Sequence, residues 1–457
     1  MNFGQIKSIH FVGIGGIGMS GIAAILSNYD YAISGCDAKG TAVTDLLQRS
    51  GIDVRLGHQA AHVESVDLVV YSSAIKPDHP EIVEARRRGI PVVRRAEMLG
   101  EIMRWKHGVA VAGTHGKTTT SAMTAMVLSE AGLDPTVIVG GMLRNLEANT
   151  RFGKSDLLVV EADEYDRSFL ALHPHVAVIT NIEADHLDCY RDLDDIRATF
   201  EQFASGVPFY GLVIGCTDDE NVAALLRRVS RRTAGYGLGS AADLRATQLE
   251  FTSTGCRFDV SLRGTGVGRF QLNVPGEHNV RNSLAAIAVG LEMNVPVAKI
   301  SAGLEGFRGV ERRFQHLGQC NGAVIIDDYA HHPTEIRATL AAARKSYPDR
   351  RLVALFQPHL FTRTRDFATE FADALNEADV ALVTPIYPAR ELPIEGVTAA
   401  LITEAARRRR DTAVTLIDMK NDEIVGELKR TLGENDVLVA MGAGDVNKIA
   451  EALVEER

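Results

Sequence analysis

The chain has 457 residues, more than one hydrophobic core usually supports, so two or three domains are expected. A net charge of -10 with no clustered basic stripe argues against a nucleic-acid duplex as the main partner, because that affinity is built from phosphate neutralisation. Cys36, Cys189, Cys216, Cys256 and Cys320 are odd in number, far apart and never in a C-x-x-C pair, so they read as reduced thiols, neither a zinc site nor a disulfide framework.

The N-terminus has no apolar run of signal length and no segment reaches eighteen uninterrupted apolar residues; a soluble cytoplasmic protein without membrane insertion is the expectation. In chain order, apolar strands are predicted at 8–14, 31–36 and 68–72, and helices at 19–27, 44–49 and 80–88, the βαβ rhythm of a parallel sheet. A second α/β unit opens at 108–112, with buried strands at 156–160, 176–180 and 211–214. The alternating, glycine-bearing segment 247–272 suggests antiparallel edge strands. After 306–309 the rhythm restarts with strands at 323–326, 351–356, 380–384, 413–416 and 437–440. The fold expected is α/β with three domains: a Rossmann-like N-terminal domain at 1–106, a central P-loop ATPase-like domain with a mostly parallel sheet at 107–308, and a C-terminal Rossmann-like domain at 309–457.

The segment Val111-Ala-Gly-Thr-His-Gly-Lys-Thr-Thr-Thr120 joins an apolar strand to a helix and reads as a cradle for a nucleoside triphosphate. Gly113, Thr114, His115, Gly116, Lys117, Thr118 and Thr119 would surround the phosphates, the Thr118 hydroxyl facing Mg2+. The general pattern wants glycine where Val111 stands, and Gly113 comes two residues late, so the loop is a variant. Gly13-Ile-Gly-Gly-Ile-Gly18 after the first strand, with Asp37 ending the second, is taken alone a dinucleotide fingerprint, although a diphosphate sugar satisfies the same physics. Tyr71-Ser-Ser-Ala74 adds Ser72 and Ser73 at a strand end, where simple turn formation is the plain alternative.

Glu161, Asp163, Glu164 and Asp166 crowd one strand end; Glu161 is the expected magnesium-side acid, with Asp163 and Glu164 behind it or serving as base. The stretch 180–188 brings Asn181, Glu183, Asp185, His186 and Asp188 to the same sheet edge, and His186 is the candidate metal ligand among them. Pro275-Gly-Glu-His-Asn279 and Asn282 precede an alanine-rich helix, where side-chain amides could read a purine edge or merely cap. Tyr329, His331 and Arg363 at later strand ends describe a site for a small zwitterion or phosphate, and Arg312 and Arg313 at the entrance to the last domain could meet a γ-phosphate or acyl phosphate.

Together these motifs resemble the Mur ligases of bacterial peptidoglycan synthesis over essentially the whole chain, most closely the branch that adds L-alanine to UDP-N-acetylmuramate. The likeness is carried by the variant P-loop 113–119, His10-Phe-Val-Gly-Ile-Gly-Gly-Ile-Gly-Met-Ser20, Ser72-Ser-Ala-Ile75, Asp327-Asp-Tyr-Ala-His-His-Pro333, Gln357-Pro-His359 with Thr362-Arg-Thr364, and Gly442-Ala-Gly-Asp445. The resemblance implies ATP-dependent amide formation through an acyl phosphate, yielding ADP and phosphate, in a monomer or homodimer serving cell-wall biogenesis. It implies that Lys117 binds the β/γ-phosphates, Thr118 and Glu161 one Mg2+ (Mn2+ as an alternative), and His186 a second metal. Asn279 and Arg312 would hold the nucleotide; Tyr329, His331 and Arg363 the alanine; Gly15, Gly16, Gly18, Asp37, His58 and Ser72 the UDP portion. Some relatives carry an arginine where this chain has Leu360, and later Mur ligases use a carbamylated lysine where 186–215 holds none. The alternatives are a murein-recycling ligase that attaches a tripeptide, an NAD-dependent oxidoreductase, which leaves the P-loop unexplained, and a degenerate scaffolding subunit, which predicts loss of Lys117, Glu161 or His186.

Overall fold

The computed structural model describes residues 3–72, 74–145, 148–389, 391–408 and 414–454. They pack as two compact units, Met1–Ala246 with Val260–Gly268 and Arg281–Leu304, and Thr247–Asp259 with Arg269–Val280 and Glu305–Arg457. Among the described residues no helix is long and apolar enough to cross a membrane, and the five cysteines are unbridged.

The first sheet contains β1 (Ser8–Val12), β2 (Ala32–Asp37), β3 (Asp53–Leu56), β4 (Leu68–Tyr71) and β5 (Val92–Arg94), all parallel, in the order β3-β2-β1-β4-β5. That is the doubly wound order expected for the Rossmann-like N-terminal part. Ile9, Phe11 and Val12 are fully buried because helices cover both faces of a parallel sheet. Helix Ala42–Arg49 begins at a Thr41 capping box, and helix Pro80–Arg87 starts with a proline whose missing N–H costs nothing at that position. The predicted strands and helices of this region are present with ends moved by one or two residues. β3, β5 and helix Arg95–Arg104 were not anticipated: β3 buries only Val54 of its four residues and β5 is three residues long, so neither has an apolar run to read.

The second sheet contains β6 (His107–Ala112), β7 (Thr136–Leu143), β8 (Ala148–Arg151), β9 (Leu157–Glu161), β10 (Val176–Ile179), β11 (Leu212–Cys216), β12 (Thr233–Gly237), β13 (Leu244–Phe251), β14 (Cys256–Leu262) and β15 (Thr265–Leu272), in the order β15-β14-β13-β12-β11-β10-β6-β9-β7-β8. From β12 to β7 neighbours run parallel, so the carboxyl ends of β6, β9 and β10 open side by side at one edge. β14 and β15 are joined by Arg263 and Gly264, both at positive φ, a link too short for anything but an antiparallel hairpin. In the first unit one apolar cluster runs from Ile9 and Phe11 to Ala110, Ile179 and Phe200, and a smaller one gathers Val12, Val63 and Val69.

The third sheet contains β16 (Gln315–Cys320), β17 (Ala323–Asp328), β18 (Arg351–Phe356), β19 (Val380–Val383), β20 (Val414–Leu416) and β21 (Asp436–Met441), in the order β16-β17-β21-β18-β19-β20. Only β16 is antiparallel, with a bulge between His316 and Gly318. Ile326, Phe356 and Val439 point into one apolar layer, and Ile325, Leu355 and Leu438 into another, the alternation of a sheet covered on both faces. β16 escaped the sequence reading because Gln-His-Leu-Gly-Gln-Cys is polar and half exposed. Ala413, at the start of the fourth predicted strand, lies outside the described residues.

Candidate active site

β6 delivers the chain into Gly113 at φ +134° and Gly116 at φ +81°, from which helix Lys117–Glu130 departs. A Cβ at Gly113 would lie 2.0 Å from Thr180 Oγ1, so only glycine lets the loop pass the end of β10. The loop is held by its neighbours: His115 N donates to Asn181 Oδ1 at 2.8 Å, Asn181 Nδ2 donates to the His115 carbonyl at 3.0 Å, and Thr180 Oγ1 donates to the same carbonyl at 2.5 Å. Thr114 Oγ1 accepts from Glu183 N at 2.9 Å, and Thr119 is buried. The first-turn N–H groups of the helix have no intrahelical acceptor and, with the helix dipole, favour an anion.

Lys117 Nζ donates to the carbonyls of Gly113 at 2.6 Å and Thr114 at 3.1 Å and to Glu164 Oε1 at 2.9 Å, with side-chain exposures of 13% and 4% for the ion pair. Burial works against the ammonium charge, but Glu164, Asp163 and Glu161 outweigh it and hold the Lys117 pKa above its ordinary value. Thr118 Oγ1 donates to Glu161 Oε1 at 3.0 Å, while Glu161 Oε2 accepts from Gly140 N at 2.6 Å. Two hard oxygen donors side by side at the foot of a phosphate loop fit Mg2+, which takes few protein ligands and completes its shell with phosphate and water. His186, at φ +54°, places Nε2 3.7 Å from Glu164 Oε1 and 3.8 Å from Asp185 Oδ2, its ring edge-on to Tyr165. Lys117, Thr118, Glu161 and His186 are therefore gathered at one sheet edge, with Glu164 linking the lysine to the histidine.

The ends of β1 and β4 flank the point where the first sheet reverses its winding, the crevice where such sheets bind ligands. Gly13 N and Ile14 N donate to the Cys36 carbonyl, and Gly15 N donates to Asp37 Oδ2 at 2.9 Å. One oxygen of Asp37 thus braces the glycine loop. A Cβ at Gly15 would sit 2.9 Å from that carboxylate and one at Gly18 2.8 Å from Arg95 Nη1, whereas at Gly16 it would come no nearer than 3.5 Å to protein. Ser72 Oγ accepts from Ala74 N at 3.3 Å, and His58 Nδ1 lies 3.2 Å from Cys36 Sγ. Ser73 is outside the described residues.

In the second unit Arg312 Nη2 donates to the Gly442 carbonyl at 2.8 Å, its Nε lies 3.3 Å from Asp327 Oδ2, and its guanidinium is 5.0 Å from the centre of the Tyr329 ring. Arg313 approaches the same ring at 5.3 Å. His331 Nδ1 is 2.9 Å from the Tyr329 carbonyl and 3.3 Å from Glu335 Oε2. Arg363 is buried in the short helix Phe361–Asp366, which Leu360 enters at φ +72°, a strained value for a branched side chain. Asn279 Nδ2 donates to the Pro275 carbonyl at 2.6 Å, so the amide is engaged at the helix start. Arg312, Tyr329 and His331 form one cluster around the Tyr329 ring.

Three family models match: the Mur ligase family catalytic domain over 8–107, the Mur ligase middle domain over 111–290 and the Mur ligase glutamate ligase domain over 312–444. A UDP-N-acetylmuramate–L-alanine ligase of Geobacter sp. (strain M21) is 48% identical over 452 residues, covering 99% of this chain and 98% of the relative. One from Salinibacter ruber is 49% identical, covering 99% and 95%. The chain belongs to the Mur ligase family. The three-domain fold of that family is shared with the solved UDP-N-acetylmuramate–alanine ligase of Thermotoga maritima, at TM-score 0.81, 31% identity and 98% coverage of each chain. A murein peptide ligase of Psychrobacter arcticus matches at TM-score 0.70 and 26% identity, also over 98% of each.

The structure of this Mur ligase adds residues that motif reading underweighted. Asn282, read as a candidate for a purine edge, accepts from Thr120 Oγ1 at 3.1 Å and lies so close under Gly116 that a Cβ there would meet its Oδ1 at 2.7 Å. Thr180 and Asn181 are scaffolds of the phosphate loop, and Gly140 orients Glu161. Their signal was faint: each is a single residue whose partner lies far away in sequence.

Proposed function

We propose that this Mur ligase joins L-alanine to the lactyl carboxylate of UDP-N-acetylmuramate at the expense of ATP, passing through an acyl phosphate and releasing ADP and phosphate in peptidoglycan precursor synthesis. The observation that carries the reading is that relatives named for this reaction match at 48% identity over 99% of the chain. The domain division 1–106, 107–308 and 309–457 is part of the same proposal, supported by the change of sheet after residue 106 and by the resumption of strands at β16.

The chain's own groups support each step. Lys117 and the helix N-terminus hold the transferred phosphoryl group, so that positioning and charge neutralisation lower the barrier. Thr118 and Glu161 would hold Mg2+, which when bound supplies charge to the β- and γ-oxygens. His186 would hold a second cation on the acyl-phosphate side. Gly16 leaves backbone room for the diphosphate of the sugar nucleotide, with Gly15, Gly18, Asp37, His58 and Ser72 around it. Arg312 carries a guanidinium for phosphate oxygens; Tyr329, His331 and Arg363 would receive the amino acid.

The test is ADP release with ATP, Mg2+ and UDP-N-acetylmuramate while single amino acids and the recycling tripeptide are scanned, with product mass recorded. Release that requires both substrates and adds one alanyl residue supports the reading. Turnover with the tripeptide alone moves the protein to the recycling branch, and the absence of turnover with every acceptor overturns the enzyme reading.

A further inference from the structure

A second constellation of metal-binding groups lies beneath the glycine loop. His10 on β1, Cys36 on β2, His62 in the turn Ala60–Val63 and Glu81 in the first turn of helix Pro80–Arg87 converge from four elements, and His10, Cys36 and Glu81 are completely buried. One ligand atom from each lies within 4.8 Å of all the others. Cys36 Sγ donates to Glu81 Oε2 at 2.9 Å; His62 Nδ1 lies 2.9 Å from Oε1, which also accepts from Gln59 N at 2.9 Å. His10 differs from its neighbours. Its Nδ1 is paired with Ser34 Oγ at 2.9 Å, but its buried Nε2 has no hydrogen-bond partner and points at Glu81 Oε2 from 3.6 Å.

An unpartnered ring nitrogen, a thiol, a second imidazole and a carboxylate sealed from water is a donor set seeking a cation, since a buried polar atom without a partner costs free energy. We propose that His10, Cys36, His62 and Glu81 form a structural zinc site. Two nitrogens, one sulfur and one oxygen suit a borderline ion, whereas Mg2+ and Ca2+ demand oxygen. With bonds of about 2.0–2.3 Å, tetrahedral ligand atoms sit roughly 3.3–3.7 Å apart, so the His10–Glu81 spacing already fits and the Cys36–Glu81 pair needs to open by under about 1 Å. Ser34 holds the outer nitrogen of His10, as the partner of a metal-bound imidazole does. On binding, the Cys36 S–H bond breaks, a sulfur–zinc bond forms, and the proton leaves to solvent; His58, 3.2 Å from the sulfur and 22% exposed, offers it a route outward.

The site has a mechanical consequence that does not depend on the ligase reading. The Cys36 carbonyl accepts from Gly13 N and Ile14 N, so an ion on the Cys36 side chain ties the glycine loop to β2 and to helix Pro80–Arg87.

Because the ligands are sealed, the full chain is to be tested in two forms: expressed in zinc-supplemented medium, and unfolded then refolded with ZnCl2 or CoCl2. Elemental analysis should find about one zinc per chain in the expressed and zinc-refolded forms, and about one cobalt in the cobalt-refolded form. The cobalt form should show a thiolate charge-transfer band and the intense visible bands of a tetrahedral centre. Cys36→Ser and His62→Asn should each cut retained metal at least tenfold, while Cys189→Ser, at the partly exposed cysteine, should keep it. Circular dichroism and ATP-analogue binding verify folding of each variant, and His10→Gln supplies a further ligand removal if Cys36→Ser fails to fold. Substoichiometric metal in both preparations, retention by Cys36→Ser, or a cobalt spectrum without the thiolate band overturns the proposal and leaves the cluster a hydrogen-bonded brace only.

Discussion

Lys117 is where stability and catalysis separate most sharply. Its ammonium makes bonds of 2.6, 3.1 and 2.9 Å, the last to a carboxylate only 4% exposed and flanked by Asp163. Lys117→Met leaves Glu164 buried without a counter-charge, a defect worth about 3–5 kcal/mol. At roughly 2 °C per kcal/mol for a unit of this size, the melting temperature should fall on the order of 5–10 °C. Replacing both charges, Lys117→Met with Glu164→Gln, removes the stranded carboxylate, and the melting temperature should return to within about 2 °C of wild type because neutral groups of similar volume substitute well for a buried pair. Activity should follow a different course: both variants lack the cation proposed to hold the phosphates and should lose at least about 100-fold in ADP release. Calorimetry and a coupled ADP assay on the two variants and wild type decide it. A Lys117→Met melting temperature equal to wild type would refute the buried pair; turnover restored in the double variant would refute the phosphate role.

Other expectations follow from single contacts. Burial, opposed by Arg312, pushes Asp327 up to about 6, so between pH of about 4 and 6 the fold holds a proton that the unfolded chain has released. Stability from this group is therefore lost as pH rises through that window, and Asp327→Asn should remove a slope worth on the order of 2–3 kcal/mol in denaturant midpoints; parallel pH profiles for the two proteins would contradict it. Gly15→Ala puts a methyl 2.9 Å from the Asp37 carboxylate and should raise KM for the sugar nucleotide while leaving that for ATP unchanged; a rise in both would mean the loop acts more globally. Thr118→Val deletes the hydroxyl beside Glu161 and should raise the Mg2+ concentration for half-maximal rate by about tenfold or more, read from a metal titration at fixed ATP. Arg312→Lys loses both the stack on Tyr329 and the bond to the Gly442 carbonyl, so turnover should fall although charge is kept; wild-type rates would show that charge alone suffices.

Sequence alone determined the parts of this protein that are local. The βαβ rhythm follows from apolar runs such as β1 and β18, which bury every or nearly every residue, and the phosphate loop from Gly113, Gly116 and Lys117, whose backbone and charge requirements fall within five residues. Edge strands such as β3 and β16 were illegible because half-exposed polar strands have no apolar signature, being specified by the neighbour they pair with. Tertiary structure alone decided the long-range partners: Glu164 rather than Asp163 on Lys117, Asn282 under Gly116, one oxygen of Asp37 on Gly15, and the four buried groups around Glu81 drawn from positions 10, 36, 62 and 81. The physical reason is that a parallel sheet brings strand ends together in an order that chain position does not reveal, and a buried polar atom takes whatever partner that order supplies.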